Sequence, residues 1–170
     1  PLSISGYTAK DIVKMAPFLD GIGVFTFMVT LREKPETAAE YISVRIGRIV
    51  QASAVYETEP WGFDSNNLFL NQVLCIDTTL NAVDILDLTQ QIEIQMGRAT
   101  KSSNGVYSDR VIDIDILLYG DICIQTERLT IPHKLMHKRR FVLEPLAEIA
   151  AHVVHPAIGK TIKELLEKAD

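Results

Sequence analysis

Arg110-Val111-Ile112-Asp113-Ile114-Asp115-Ile116-Leu117-Leu118 is the stretch on which the fold turns. Isoleucines alternate with carboxylates at a period of two, the pattern of a β-strand with one face in a core. Alternate strand residues share a face. Ile112, Ile114 and Ile116 therefore point inward, while Asp113 and Asp115 point to the opposite side with Val111. The strand runs to Tyr119, and Gly120-Asp121 reads as a turn into a short strand, Ile122 to Gln125.

Upstream, Leu68 to Thr78 reads as a long strand, Ile49 to Glu57 as another, and Val24 to Val29 as a short apolar one. Helices separate them. Pro35 suits the first turn of a helix that runs toward Ile46 and stops at Gly47. Asn81 with Asp84 opens a second, whose stripe is Ile85, Leu88, Ile92 and Met96 and whose end is Gly97. Thr8-Ala9-Lys10-Asp11 and Thr161-Ile162-Lys163-Glu164 read as capping boxes of a first and a last helix, with Pro17 limiting the first. The order β-α-β-β-α-β, followed by a helical tail, predicts a ferredoxin-like α+β sandwich: one mainly antiparallel sheet with helices on one face.

Length and composition bound what such a domain does. A chain of 170 residues with 47% hydrophobic content is long and apolar enough to bury its own core. A net charge of −5 supplies no general attraction for nucleic acid or anionic membrane, so any basic site is local. Cys75 and Cys123 lie far apart in apolar runs and read as buried reduced thiols. No apolar stretch reaches membrane-span length and no signal peptide is evident, so the expected location is the cytoplasm.

The paired aspartates carry the first chemical argument. Two carboxylates on one face of an apolar strand repel each other, and burial disfavours their charged forms. A divalent cation offsets both effects, and carboxylate oxygen suits Mg²⁺, which completes its shell with waters and substrate phosphates. The plain alternative is a solvated polar face. Arg110, at the entry to the same strand, weighs toward a metal-nucleotide site because it can reach a phosphate that the metal holds.

Pro132-His133-Lys134-Leu135-Met136-His137-Lys138-Arg139-Arg140-Phe141 is the densest basic run of an acidic protein. It reads either as a solvated helix face or as a phosphate clamp facing the aspartates. His133 and His137 have i, i+4 spacing but no acidic or thiol partner at ligand distance, which argues against zinc. The run is too short and isolated for a nucleic-acid surface. Tyr56-Glu57-Thr58-Glu59-Pro60-Trp61-Gly62-Phe63 leaves a strand for a loop, and Phe69 and Asn71 share a face of the next strand. An aromatic ring beside a carboxamide can hold a flat heterocycle by stacking and paired hydrogen bonds, although ordinary core and turn would look the same.

Together these pieces resemble the 6-hydroxymethyl-7,8-dihydropterin pyrophosphokinase family of folate synthesis. The matching motifs are Asp109-Arg110-Val111-Ile112-Asp113-Ile114-Asp115-Ile116-Leu117-Leu118-Tyr119-Gly120; Leu129-Thr130-Ile131-Pro132-His133 continuing through Arg139, Phe141 and Glu144-Pro145-Leu146; Tyr56 to Gly62 with Phe69-Leu70-Asn71; and Glu93 through Gly97-Arg98. They occur in the family's order from Arg48 to Pro156. The resemblance implies one pyrophosphokinase domain over 1–170, with 1–23 an atypical extension or divergent start. It implies Mg²⁺-dependent transfer of diphosphate from ATP to the pterin hydroxymethyl group, with small-molecule partners only. By resemblance, Asp113 and Asp115 hold two Mg²⁺ ions. Thr58, Pro60, Trp61, Phe69, Asn71 and Phe141 form the pterin pocket, with the ring between Phe69 and Phe141. Gln90, Arg110, Ile116, Arg128, Thr130, His133, Lys134 and Arg139 contact the nucleotide, and Arg98 and Arg110 assist the transfer. The segment Gly97 to Asp109 is expected to close over the substrates.

The chain departs from the family in places. The first strand of the family leads into a Gly-Ser/Thr-Asn turn, whereas Phe27-Met28-Val29-Thr30-Leu31-Arg32-Glu33-Lys34-Pro35-Glu36 lacks both the Gly and the Asn. Tyr107-Ser108-Asp109 stands where Trp-Gly-Pro is common. Three rivals follow: a silent pterin- or nucleotide-binding module, another Mg²⁺-dependent nucleotidyl or phosphoryl transferase, and a fragment of a bifunctional folate enzyme. The intact Asp113, Asp115, Arg110, Arg98 and His133 oppose the first, and the Phe69, Asn71, Phe141 set opposes the second.

Overall fold

The computed structural model describes residues 23–59, 68–97 and 112–169. The helix expected from Thr8, the segment 98–109, and Pro60, Trp61, Arg98 and Arg110 lie outside the described residues. The elements are β1 (Gly23–Leu31), α1 (Pro35–Arg45), β2 (Arg48–Ala52), β3 (Tyr56–Thr58), β4 (Phe69–Thr78), α2 (Ala82–Gln95), β5 (Ile112–Tyr119), β6 (Ile124–Gln125), β7 (Thr130–Ile131), a 3₁₀ turn (Met136–Lys138), α3 (Arg140–Ala150) and α4 (Ile162–Lys168). The sheet runs β2-β4-β1-β5, with β3 also on β4. Every pairing is antiparallel, and β6 and β7 form a separate ribbon.

Alternation explains the layering. Phe25, Phe27, Val29, Leu31, Leu74, Ile76, Ile112, Ile114 and Ile116 pack with Ala38, Ile42, Ile85 and Ile92 of α1 and α2. Val24, Met28, Val73, Cys75 and Leu118 face the other way and pack with Val142, Leu143, Leu146 and Ile149 of α3 and Ile162 and Leu165 of α4. The expectation of helices on one face is thus corrected. The central strands are apolar on both faces, and a sheet of that kind needs a cover on each.

A bulge in β5 makes this arrangement consistent. Thr26 pairs with Leu118 but Phe27 pairs with Ile116, so Leu117 is the extra residue. The extra residue lets Ile116 and Tyr119 share the first face, where the Tyr119 ring stacks on Phe25 at 3.9 Å. The run expected as one strand from Ile49 to Glu57 breaks at Ser53, which is 3% exposed. Its hydroxyl accepts the Val73 N–H at 2.9 Å and donates to the Ala54 carbonyl at 2.8 Å, replacing regular ladder bonds.

The helix ends follow the sequence closely. Asn81 Oδ1 accepts the Asp84 N–H at 2.9 Å. Thr161 and Glu164 form the reciprocal capping box, with both bonds at 3.1 Å. Without a Gly or Asn, the turn into α1 closes on Lys34 in the left-handed region, φ 61°. Cys75 is buried and its thiol is pushed up to about 12, first by burial and then by Asp77. Cys123 is exposed, against expectation, because its short apolar run enters the β6–β7 ribbon rather than the sheet.

After α3, His155 is 4% exposed, and its Nδ1 accepts the N–H groups of Ala157 and Ile158, each at 3.2 Å. Burial, then the charge of His137, pushes its pKa below the ordinary value. The folded state therefore holds the ring neutral while the unfolded chain takes up a proton. Stability from this group is complete above about pH 6.5 and declines as pH falls through the window down to the depressed folded value. Urea midpoints are expected to drop between pH 7.5 and 5.5. His155→Asn, which keeps an accepting atom but does not titrate, should flatten that dependence. An unchanged slope would assign the pH effect to other groups.

Candidate active site

The site forms where β5, an edge strand, meets the segment after β7. A free strand edge exposes unpaired backbone groups. Here the Ile114 N–H, between the two aspartates, donates to Glu93 Oε2 of α2 at 2.9 Å. Further along, the bulged Leu117 carbonyl accepts the His133 N–H at 3.0 Å. These two bonds dock α2 and the basic segment onto the strand that carries Asp113 and Asp115. Glu93 is 4% exposed, so its carboxylate is an integral part of that joint.

A cleft of about 360 Å³ opens at this edge. Asp115, Ile116, Arg128, Thr130, His133, Lys134 and Arg139 line it, together with Leu86, Ile114, Leu129 and Leu135. The carboxylate of Asp115 thus shares a cleft with two guanidinium groups and an ammonium group over apolar side chains; Asp113 does not line it. Arg128 reaches Asp87 on α2 at 2.6 Å; both are exposed, so the pair orients Arg128 and adds little stability. Gln90 is exposed on α2, one turn beyond Leu86, and does not line the cleft.

Burial pushes the His133 pKa below the ordinary histidine value; Arg139 and Lys134 push it the same way, while Asp115 pulls it back up. The ring is neutral near pH 7. Its Nδ1 accepts the Leu135 N–H at 3.3 Å, which leaves the proton on Nε2 as a donor. Among the described residues no three His, Cys, Asp or Glu side chains gather as a metal cage. Two carboxylates on one strand face, beside a cleft lined by cations, are a donor set for a hard divalent ion whose shell is completed by water and phosphate.

The second half of the site lies on the sheet face that α3 and α4 cover. Tyr56, Asn71, Thr30 and Asp113 stand opposite one another across β3, β4, β1 and β5. Asn71 Nδ2 donates to Thr58 Oγ1 at 2.7 Å, and Thr30 Oγ1 donates to Asn71 Oδ1 at 3.0 Å. Phe69 pairs with Thr58, and the Arg32 guanidinium lies 5.3 Å from its ring centroid. Phe141 sits in the first turn of α3, with the Arg139 guanidinium 5.7 Å from its ring. Arg139 therefore touches both halves of the site. Tyr56 donates to Glu148 Oε1 at 2.7 Å and the Ala54 N–H to Glu148 Oε2 at 2.8 Å, tying α3 to the strand edge that carries Thr58. That bond to the carboxylate, with burial, holds the Tyr56 phenol up at about 12.

Thr30, Glu93 and Glu148 are the residues that sequence reasoning passed over. Glu93 left a trace as the first residue of a matching motif, and Thr30 lies in the stretch that departs from the family.

A sequence profile described as 7,8-dihydro-6-hydroxymethylpterin-pyrophosphokinase (HPPK) matches residues 29–151. A Porphyromonas gingivalis protein named 2-amino-4-hydroxy-6-hydroxymethyldihydropteridine pyrophosphokinase is 47% identical over 120 residues, 70% of this chain and 81% of that protein. A Methylorubrum extorquens protein of the same name is 41% identical over 134 residues, 78% of this chain and 82% of its own. Among solved structures, Plasmodium falciparum HPPK-DHPS with pteroate superposes with a TM-score of 0.71 at 16% identity, over 86% of this chain. The chain spans 42% of the length of that solved polypeptide, and the likeness there is one of fold.

Proposed function

Because the chain belongs to the 7,8-dihydro-6-hydroxymethylpterin-pyrophosphokinase family, we propose that it moves the diphosphate of ATP onto the hydroxymethyl group of 6-hydroxymethyl-7,8-dihydropterin and releases AMP. The observation that carries this reading is the convergence of Asp115, Arg128, His133, Lys134 and Arg139 on one cleft. Arg128, Lys134 and Arg139 bind the polyphosphate, and His133 donates from Nε2 to an anionic oxygen. Ile116 and Thr130 line the nucleotide seat; Gln90 and Arg110 belong to it by family position. Thr58, Phe69, Asn71 and Phe141 form the pterin seat, joined by Pro60 and Trp61, and Arg98 assists with Arg110.

Mg²⁺, held as two ions by Asp113 and Asp115, would supply neutralisation of the phosphate charge. The residues themselves position the two substrates. The pterin hydroxyl is brought to the β-phosphorus, the Pβ–O bond to AMP breaks, and cations that border the cleft lower the cost of charge on the departing oxygen. We read 1–170 as one domain, with 1–23 an atypical N-terminal extension or a divergent start. We place it in the cytoplasm with small-molecule partners; no described helix is long and apolar enough to cross a membrane.

The test is AMP release from Mg·ATP with and without the reduced pterin, with mass detection of the pterin product. Pterin-dependent AMP and a pterin heavier by a diphosphate are expected. A folded, pterin-binding protein that releases no AMP would support the silent module instead. Phe69→Ala should weaken pterin binding by about tenfold or more, since stacking a flat heterocycle on an aromatic ring is worth about 1–3 kcal/mol. Nucleotide affinity should stay within twofold. Equal loss of both would make Phe69 a core residue.

A further inference from the structure

Asn71 is 1% exposed and its carboxamide is held by two hydroxyls. Thr30 on β1 donates to its oxygen at 3.0 Å, and its nitrogen donates to Thr58 on β3 at 2.7 Å. A carboxamide has two acceptor lone pairs and two N–H donors. Each hydroxyl uses one, so that among the described residues one acceptor and one donor of the carboxamide remain. That remaining pair complements the N–H and ring-nitrogen or carbonyl edge of a pyrimidinone. A buried amide held in this way cannot re-aim itself cheaply, because rotation would break both hydroxyl bonds at once.

We propose that Thr30 is a positioning residue for pterin recognition, fixing the plane of the Asn71 carboxamide so that its free donor and acceptor meet the heterocycle edge. The inference rests on the reading of Asn71 as part of the pterin seat and adds a residue that lies in the stretch departing from the family. Thr30 suits the task by its place. It stands opposite both Asn71 on β4 and Asp113 on β5. Strand pairing on both sides therefore fixes the backbone that carries the hydroxyl. Thr58, on the short strand β3, supplies the second hold.

The experiment is calorimetric titration of the full chain with 6-hydroxymethyl-7,8-dihydropterin in the presence of Mg·α,β-methylene-ATP, and separately with that nucleotide alone. Thr30→Val keeps the shape and strand preference but loses the hydroxyl. It is expected to raise the pterin Kd about tenfold and to leave the nucleotide Kd within twofold. Thr30→Ser is expected to bind pterin as the unmodified protein does. An unchanged pterin Kd in Thr30→Val, or equal losses for both ligands, would overturn the inference. Should Thr30→Val not fold, Thr30→Ala is titrated in its place, and failure of both to fold would make the role structural and overturn it too. Asn71→Ala separates the two layers of argument. If it binds pterin normally, the placement of Asn71 in the seat falls and takes this inference with it. If it binds weakly while Thr30→Val binds normally, only the inference about Thr30 falls.

Discussion

Asp115→Ala is expected to lower the rate of diphosphate transfer by at least about a thousandfold while the protein stays folded. Asp115 lines the cleft together with Arg128, Lys134 and Arg139, and Asp113 precedes it by two residues on the same strand face. If these carboxylates anchor the metal, losing one removes several kcal/mol of charge stabilisation, and each ~1.4 kcal/mol is a tenfold change in rate. Asp113→Ala should behave alike. Both aspartates are only partly buried, whereas their neighbours Ile112, Ile114 and Ile116 are 1%, 6% and 5% exposed. The core contribution of β5 therefore survives, and like-charge repulsion on the other face is relieved. Thermal melting separates the outcomes. A fall in midpoint that matches the loss of activity would make the aspartates structural, and near-normal activity would remove them from the metal site.

Gly47→Ala should have the largest effect on stability, with the chemistry left intact in whatever remains folded. The Gly47 N–H closes α1 onto the Ile42 carbonyl at 3.2 Å, and β2 begins at the next residue. A Cβ at Gly47 would stand 2.1 Å from the Asp77 carbonyl oxygen and 2.8 Å from Thr78 Cβ. Backbone cannot yield as a side chain does, so helix and strand must separate, at a cost of about 3 kcal/mol. For a domain of this size that is a drop of roughly 6–12 °C in Tm. Gly97 is the control. Its φ is 91°, but an added Cβ would meet nothing within 4 Å. Alanine there costs only the left-handed conformation, about 1–2 kcal/mol. Equal shifts at the two positions would refute the role of close approach at Gly47.

Periodicity made most of the fold legible. The isoleucine alternation of β5 and the caps at Asn81 and Thr161 each report a local preference that tertiary structure left in place, whereas the stop at Gly47 coincides with the close approach of β4. Helices on the second face were not legible, because the apolar positions Val24 and Met28 of β1 look the same whether covered or edge-on; only packing against α3 and α4 distinguishes them. Chemical residue types within each motif were legible too, since Asp115, His133 and Arg139 meet at one cleft. What stayed hidden is the framework that holds them. Thr30 finds Asn71 across 41 residues, Ile114 finds Glu93 across 21, and Tyr56 finds Glu148 across 92. Such pairs depend on strand register and helix docking, and no short window of sequence encodes either.

The alternation along β5 also governs how this chain can change over time. Between Ile112 and Ile116 every second side chain belongs to the interior and every other one to the site. Losing or gaining one residue there would exchange the two sets, sending aspartates into the hydrocarbon layer and isoleucines toward the phosphates. The bulge at Leu117 already spends the one extra residue that the pairing with β1 absorbs. Drift in this strand must therefore proceed by substitution alone, and libraries meant to diversify the enzyme should vary its letters and never its length.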